Sequence, residues 1–148
     1  MVEAGHRCAI PTCREPTVEI AHITAWKTAR EHTFENLIAL CPTCHTRYDK
    51  GGIDRRAMLQ YKANLSVLNG RYGDLERRVL RYFAVHRDRD SIYLSKGFDL
   101  LLMYLFEDGF LVETDELKYR LSREGTLYYL TEPGRAFVEK WLAAEKLE

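Results

Sequence analysis

Four cysteines set the strongest limit on how this chain folds. They stand as Cys8-x4-Cys13 and Cys41-x2-Cys44, all in the first third of a 148-residue sequence, with none afterwards. Each pair is close enough to form a tight knuckle whose sulfurs converge. Pro11 and Pro42, one inside each pair, favour the turn. Two such knuckles, brought together by the chain between them, form the tetrahedral thiolate site of a structural zinc ion. A disulfide pair or free thiols are the alternatives. A disulfide framework needs an oxidising compartment, and the first residues carry charge at Glu3 and Arg7 without the apolar stretch of a secretory leader. The longest apolar run, Leu100–Phe106, falls far short of the ~20 residues that span a bilayer. The expectation is a cytoplasmic protein with no membrane partner.

Charge narrows the choice of partners. Lys and Arg (22) balance Asp and Glu (22), and the balance is even between residues 1–60 and the rest. A protein that held nucleic acid by blanket electrostatics would be basic overall, so any such contact here rests on a local site. The 46% hydrophobic content excludes wholesale disorder.

Along the chain, residues 17–23 are β-branched and alternate, which predicts a strand. A loop follows to about Asn36, then a second short strand over Leu37–Cys41. Pro42 opens a helix near Thr43 to Lys50, stopped by Gly51-Gly52. Asp54 is placed to cap a helix from about Arg55 to Leu68, ended by Asn69-Gly70. Further on, Leu75, Val79, Leu80 and Phe83 recur at helical spacing, and Gly97–Asp108 reads as another helix. Residues 116–121 and 126–130 flank Arg123-Glu124-Gly125 as a hairpin, after which Thr131 caps a last helix. The whole is α+β. A unit of about fifty residues around the cysteines is too small to be stable alone, and zinc supplies the missing core.

Between the knuckles lie Val18-Glu19-Ile20-Ala21-His22-Ile23 and Glu35-Asn36-Leu37-Ile38-Ala39-Leu40-Cys41-Pro42-Thr43-Cys44-His45. In that order these residues resemble the zinc-stapled HNH endonucleases with a ββα-metal core, over roughly residues 5–54. The resemblance implies that His22 is the general base and that His45 is a ligand of a catalytic divalent ion, Mg2+ or Mn2+. It implies too that Asn36 holds the loop and the base histidine. Nuclease chemistry asks for this set independently, because hydrolysing a phosphodiester needs an activated water and an electrophile on the phosphate. Asp49, one helical turn beyond His45, is a candidate second ligand. Many HNH proteins carry Asp or His immediately before the base; this chain has Ala21. Glu19 shares the strand face of Ala21 and is the candidate replacement, against the plain alternative of a surface glutamate. His6, His32 and His86 read as solvated side chains, and Trp26 as packing beneath the site rather than stacking on a nucleic-acid base.

Residues about 75–145 resemble a winged-helix fold, chiefly at Tyr128-Tyr129-Leu130-Thr131-Glu132-Pro133-Gly134-Arg135, and the expected division is a nuclease domain over 1–71 and a winged-helix-like domain over 72–148. Segment 97–108, which would enter a DNA groove, contains Asp99, Glu107 and Asp108 and neither Lys nor Arg, so a scaffold or oligomerisation role is preferred to groove binding. Arg77, Arg78 and Arg81 are the better candidates for nucleic-acid contact, with a solvated salt-bridge face as the alternative. The function expected is a metal-dependent endonuclease acting on DNA. The runner-up is a non-catalytic zinc-plus-winged-helix DNA-binding regulator. Resemblance to small HNH proteins of phage-defence systems adds a third class, a nuclease subunit switched on by a sensor or ATPase partner. A homodimer is a further expected partner state.

Overall fold

A computed structural model of the protein describes residues 2–13, 15–30, 32–114 and 124–147. The chain divides into two compact units. One comprises Met1–Gly70 together with Lys140–Glu148, and the other Arg71–Glu139. Residues 140–148, grouped with the second domain on sequence grounds, therefore fall in the first unit.

The first unit is built on an antiparallel pair, β1 (Glu19–His22) and β2 (Leu37–Leu40), in the register Glu19↔Leu40 to His22↔Leu37. β2 is fully apolar and buries Ile38, Ala39 and Leu40, whereas β1 buries Ala21 and leaves Glu19 exposed. The connection carries a single-turn α1 (Trp26–Ala29) and a 3-10 turn over Phe34–Asn36. Helix α2 (Pro42–Asp49) follows β2 directly. Pro42 sits at its start, where a missing N–H costs nothing, and the Cys41 sulfur accepts the Cys44 N–H at 3.3 Å as an N-cap. Gly51 closes the helix end at φ +76°, a conformation that favours glycine.

Helix α3 (Arg55–Arg71) starts where Asp54 Oδ1 accepts the Ala57 N–H at 2.9 Å. It runs past Asn69-Gly70, the expected stop. Asn69 donates its side-chain amide to the Glu3 carbonyl at 2.7 Å rather than capping the helix, and Gly70 keeps helical φ. Met58 and Leu65 of α3 close the core of this unit with Ile10, Ile23, Ile38 and Leu40 and the buried Cys8, Cys41 and Cys44. The returning segment is tied to the same helix. Tyr61 and Asn64 donate to the carbonyls of Leu142 and Glu145 at 3.2 and 2.9 Å, and Leu147 is buried.

In the second unit, α4 (Asp74–Val85) precedes a three-stranded antiparallel sheet of order β3 (Ser91–Ser95), β5 (Gly125–Leu130), β4 (Leu111–Glu113). Glu76 is buried yet satisfied. Its carboxylate accepts the Gly73 N–H at 2.7 Å and the Tyr104 N–H at 2.9 Å. Strand β3 was not expected, and the continuous helix expected over Gly97–Asp108 does not form. Gly97 turns at φ +91°, Asp99–Leu102 is a 3-10 turn, and only α5 (Met103–Glu107) is α-helical. The Tyr128 hydroxyl donates to Asp99, which holds the 3-10 turn against the central strand. The first limb of the expected hairpin, 116–121, lies outside the described residues. Helix α6 (Glu132–Leu142) starts as expected, with Thr131 Oγ1 accepting the Gly134 N–H at 3.1 Å. The chain is thus α+β, and no helix among the described residues is long and apolar enough to cross a membrane.

Candidate metal centre and active site

The two cysteine knuckles meet. The sulfurs of Cys8, Cys13, Cys41 and Cys44 all lie within 4.8 Å of one another, with Cys13 and Cys41 at 3.7 Å, and none is in a disulfide. A zinc tetrahedron with arms of about 2.3 Å has edges of about 3.8 Å, so the spacing fits zinc. The electrostatics fit as well. Burial pushes the Cys8 thiol up to about 11 and raises Cys44 strongly, the nearby sulfurs adding to it. Burial also opposes ionisation of Cys41, but hydrogen bonds from Cys44, Cys13 and Cys8 together outweigh it and lower that thiol. Four clustered thiolates without a cation repel each other; a divalent ion at their centre takes the place of the protons. Among the described residues, this is the one group of three or more such donors close enough to hold an ion.

Cys41 and Cys44 fix the start of α2, and so fix His45. The His45 Nδ1 lies 2.6 Å from Glu19 Oε1 across the β1–α2 junction, and its Nε2 lies 3.8 Å from Asp49 Oδ2. The three residues named as candidate ion ligands are therefore neighbours, but the two carboxylates address opposite edges of one ring. An ion takes a single nitrogen of an imidazole. The Nδ1–Glu19 contact is a direct hydrogen bond.

Asn36 clamps the loop that follows His22. Its Oδ1 accepts the Thr24 N–H at 2.7 Å, its Nδ2 donates to the Thr24 carbonyl at 3.1 Å, and its own carbonyl accepts the Ile23 N–H at 2.8 Å. Tyr48, on the same helix as His45, donates its hydroxyl to the Ile23 carbonyl, and burial raises its pKa. Arg55 reaches Thr24 Oγ1 at 2.7 Å. Tyr48 and Arg55 were not singled out in the sequence; the usable signal was Tyr48 three residues after His45, one turn along α2.

His22 makes a contact that sequence did not suggest. Its Nε2 lies 3.0 Å from Nδ1 of His32, and the His32 ring stacks on Trp26 with centroids 4.3 Å apart and planes 20° from parallel. Trp26 is 46% exposed, so it does not pack beneath the site as expected. On α4, Arg77 and Arg78 both reach Asp74, at 3.8 and 2.6 Å, while Arg81 is half-buried.

Neither curated proteins nor solved structures include a match to the chain. The family model for HNH endonuclease matches residues 6–51. That stretch contains all four cysteines, His22, Asn36 and His45, and together with the four-cysteine cluster it fits a zinc HNH domain.

Proposed function

We propose that the chain is a metal-dependent HNH endonuclease that hydrolyses phosphodiester bonds in DNA, with Zn2+ held by Cys8, Cys13, Cys41 and Cys44 as a structural ion. The observation that carries the reading is the pairing of Glu19 with His45 at 2.6 Å. A carboxylate and an imidazole, on two elements joined beside the thiolate cluster, make a site for a hard divalent ion where the family's usual ligand position is occupied by Ala21.

In this reading Glu19 and His45 would hold Mg2+ or Mn2+, and Asp49, whose carboxylate lies 3.8 Å from the Nε2 edge of His45, would add negative charge beside the ion. The ion supplies charge to neutralise the phosphate and the leaving oxygen. His22 takes a proton from a water as that water's oxygen bonds to phosphorus and the bond to the leaving oxygen breaks. Asn36 and Tyr48 keep the backbone at Ile23 and Thr24 in place, and so set where His22 stands. Arg71–Glu139 is read as winged-helix-like and as a scaffold; a helix, the strand order β3-β5-β4 and two short helical turns between β3 and β4 support that.

The test is cleavage of supercoiled plasmid by purified protein with Mg2+, Mn2+ or no added ion. The expected result is ion-dependent nicking or linearisation. Replacing His22 with Ala should lower the rate by roughly 10²–10⁴-fold without change in zinc content or melting. Intact plasmid with every ion would overturn the reading in favour of a binding module.

A further inference from the structure

We propose that His32 is the positioning residue for His22, accepting its Nε2–H and so leaving the Nδ1 lone pair as the proton acceptor. The inference rests on the endonuclease reading for its consequence, but not for its geometry. A neutral imidazole carries one proton, and the bond made by one ring nitrogen decides what the other can do. His22 Nε2 and His32 Nδ1 stand 3.0 Å apart, a hydrogen-bond distance. If His22 donates, its Nδ1 is an acceptor and serves as a base. If His32 donates, His22 Nδ1 carries the proton and the ring cannot take another.

The chemistry selects the first arrangement. Neutral histidine intrinsically prefers its proton on Nε2, and only when both rings keep that form does His22 donate to His32 Nδ1. The reverse bond puts both rings in the disfavoured form. Trp26 restricts the acceptor. Its indole lies nearly parallel to the His32 ring at 4.3 Å and also stands 6.0 Å from His22, which limits rotation of an exposed loop side chain. His32 is ten residues from His22 and on the loop between β1 and β2, so it reaches the base only through the path of that loop.

When His22 takes a proton from water at Nδ1, it becomes an imidazolium that still donates from Nε2. His32 then stabilises that charge with its lone pair, and the proton leaves His22 again to solvent or to the leaving oxygen. His32 thus acts through His22 and touches no reacting atom.

The experiment compares His32→Ala and His32→Asn with wild type in plasmid cleavage, and records 15N spectra of the imidazole nitrogens. Asn Oδ1 occupies much the place of a histidine Nδ1. His32→Ala should lower kcat at least about tenfold with KM little changed, as removal of a tautomer-fixing partner does. His32→Asn should recover most of the rate. In wild type the His22 spectrum should show the Nε2–H form, and in His32→Ala a mixture. His32→Ala cleaving at the wild-type rate, His32→Asn as slow as His32→Ala, or an Nδ1–H form at His22 in wild type would each overturn the inference. Absence of cleavage by wild type would count against the endonuclease reading alone, because the nitrogen spectra still decide the direction of this bond. Zinc content and melting should be unchanged in both variants, since His32 is exposed.

Discussion

Replacing Asn36 with Ala removes two hydrogen bonds at once and separates the clamp from the chemistry. The lost partners are the Thr24 N–H at 2.7 Å and the Thr24 carbonyl at 3.1 Å; the bond from Ile23 N–H to the Asn36 carbonyl is made by backbone and survives. A neutral hydrogen bond contributes about 0.5–1.5 kcal/mol net, so the pair is worth about 2 kcal/mol. For a unit of this size each kcal/mol moves the midpoint by about 4–8 °C, which predicts a fall of roughly 8–16 °C in the melting of the zinc-loaded first unit. On the endonuclease reading, cleavage should fall about 100-fold even well below that midpoint, because His22, the proposed base, lies two residues before Thr24 and a misplaced base costs rate steeply. Asn36→Asp discriminates further. It keeps an acceptor for the Thr24 N–H but sets a carboxylate oxygen against the Thr24 carbonyl, so it should be no more stable than Asn36→Ala. Calorimetry with parallel plasmid assays measures both effects. A variant that melted and cleaved like wild type would refute the clamp, and one that lost cleavage with unchanged melting would move Asn36 into direct contact with substrate.

Stripping zinc with a chelator, or changing Cys8 to Ser, should unfold the first unit, seen as loss of far-ultraviolet circular dichroism, while Arg71–Glu139 keeps its own transition. A cooperative melt of that unit with free thiols and no zinc would contradict this. Glu19→Gln should weaken the catalytic ion, so that lost activity returns as Mn2+ rises, whereas His22→Ala is not rescued; Glu35→Gln controls for removal of a loop carboxylate, which can itself tighten phosphate binding. Acid should loosen the second unit by a defined route. The Arg71 guanidinium, with the Tyr72 hydroxyl, holds the Asp108 carboxyl below its usual 3.8 despite opposing burial. A depressed carboxyl contributes stability above its unfolded pKa and loses it as pH falls through the folded one. Melting of this unit should therefore decline below about pH 4, and Asp108→Asn should flatten that decline.

Legibility followed the range of the interactions. The cysteine knuckles, the Pro42 start and Gly51 stop of α2, and the Asp54 cap are fixed by residues within a few positions of each other, and sequence spacing carries them. The same holds for Thr131 and Gly134 at the start of α6. His32 escaped because nothing within ten residues distinguishes it from a solvated loop histidine; its meaning comes from where the loop returns. Strand β3 escaped for a related reason. Its alternation at Ile92 and Leu94 is brief and follows the charged run Arg87–Asp90, and what makes it a strand is pairing with β5, more than thirty residues on. In 97–108 the leucines suggested a helix face, yet Leu100 and Leu101 are 75% and 56% exposed. The turn at Gly97 and the bond from Tyr128 to Asp99 decide that segment, and both outweigh apolar periodicity. The place of Glu19 on a strand with Ala21 was legible through the two-residue period. The distance from Glu19 to His45 was not, since that depends on how α2 leaves β2.

The membership of residues 140–148 in the first unit has a consequence for how the molecule is made. A ribosome delivers the metal-binding knuckles early, but the partners of Tyr61 and Asn64 emerge only after the whole of Arg71–Glu139. During elongation Tyr61 and Asn64 of α3 lack these partners, and the unit bearing His22 and His45 waits, incomplete, for a segment about seventy residues downstream. A premature stop anywhere in the second unit therefore also strips the first of its closing segment. Prematurely terminated chains would carry cysteines able to collect zinc but lack the packing that finishes the fold.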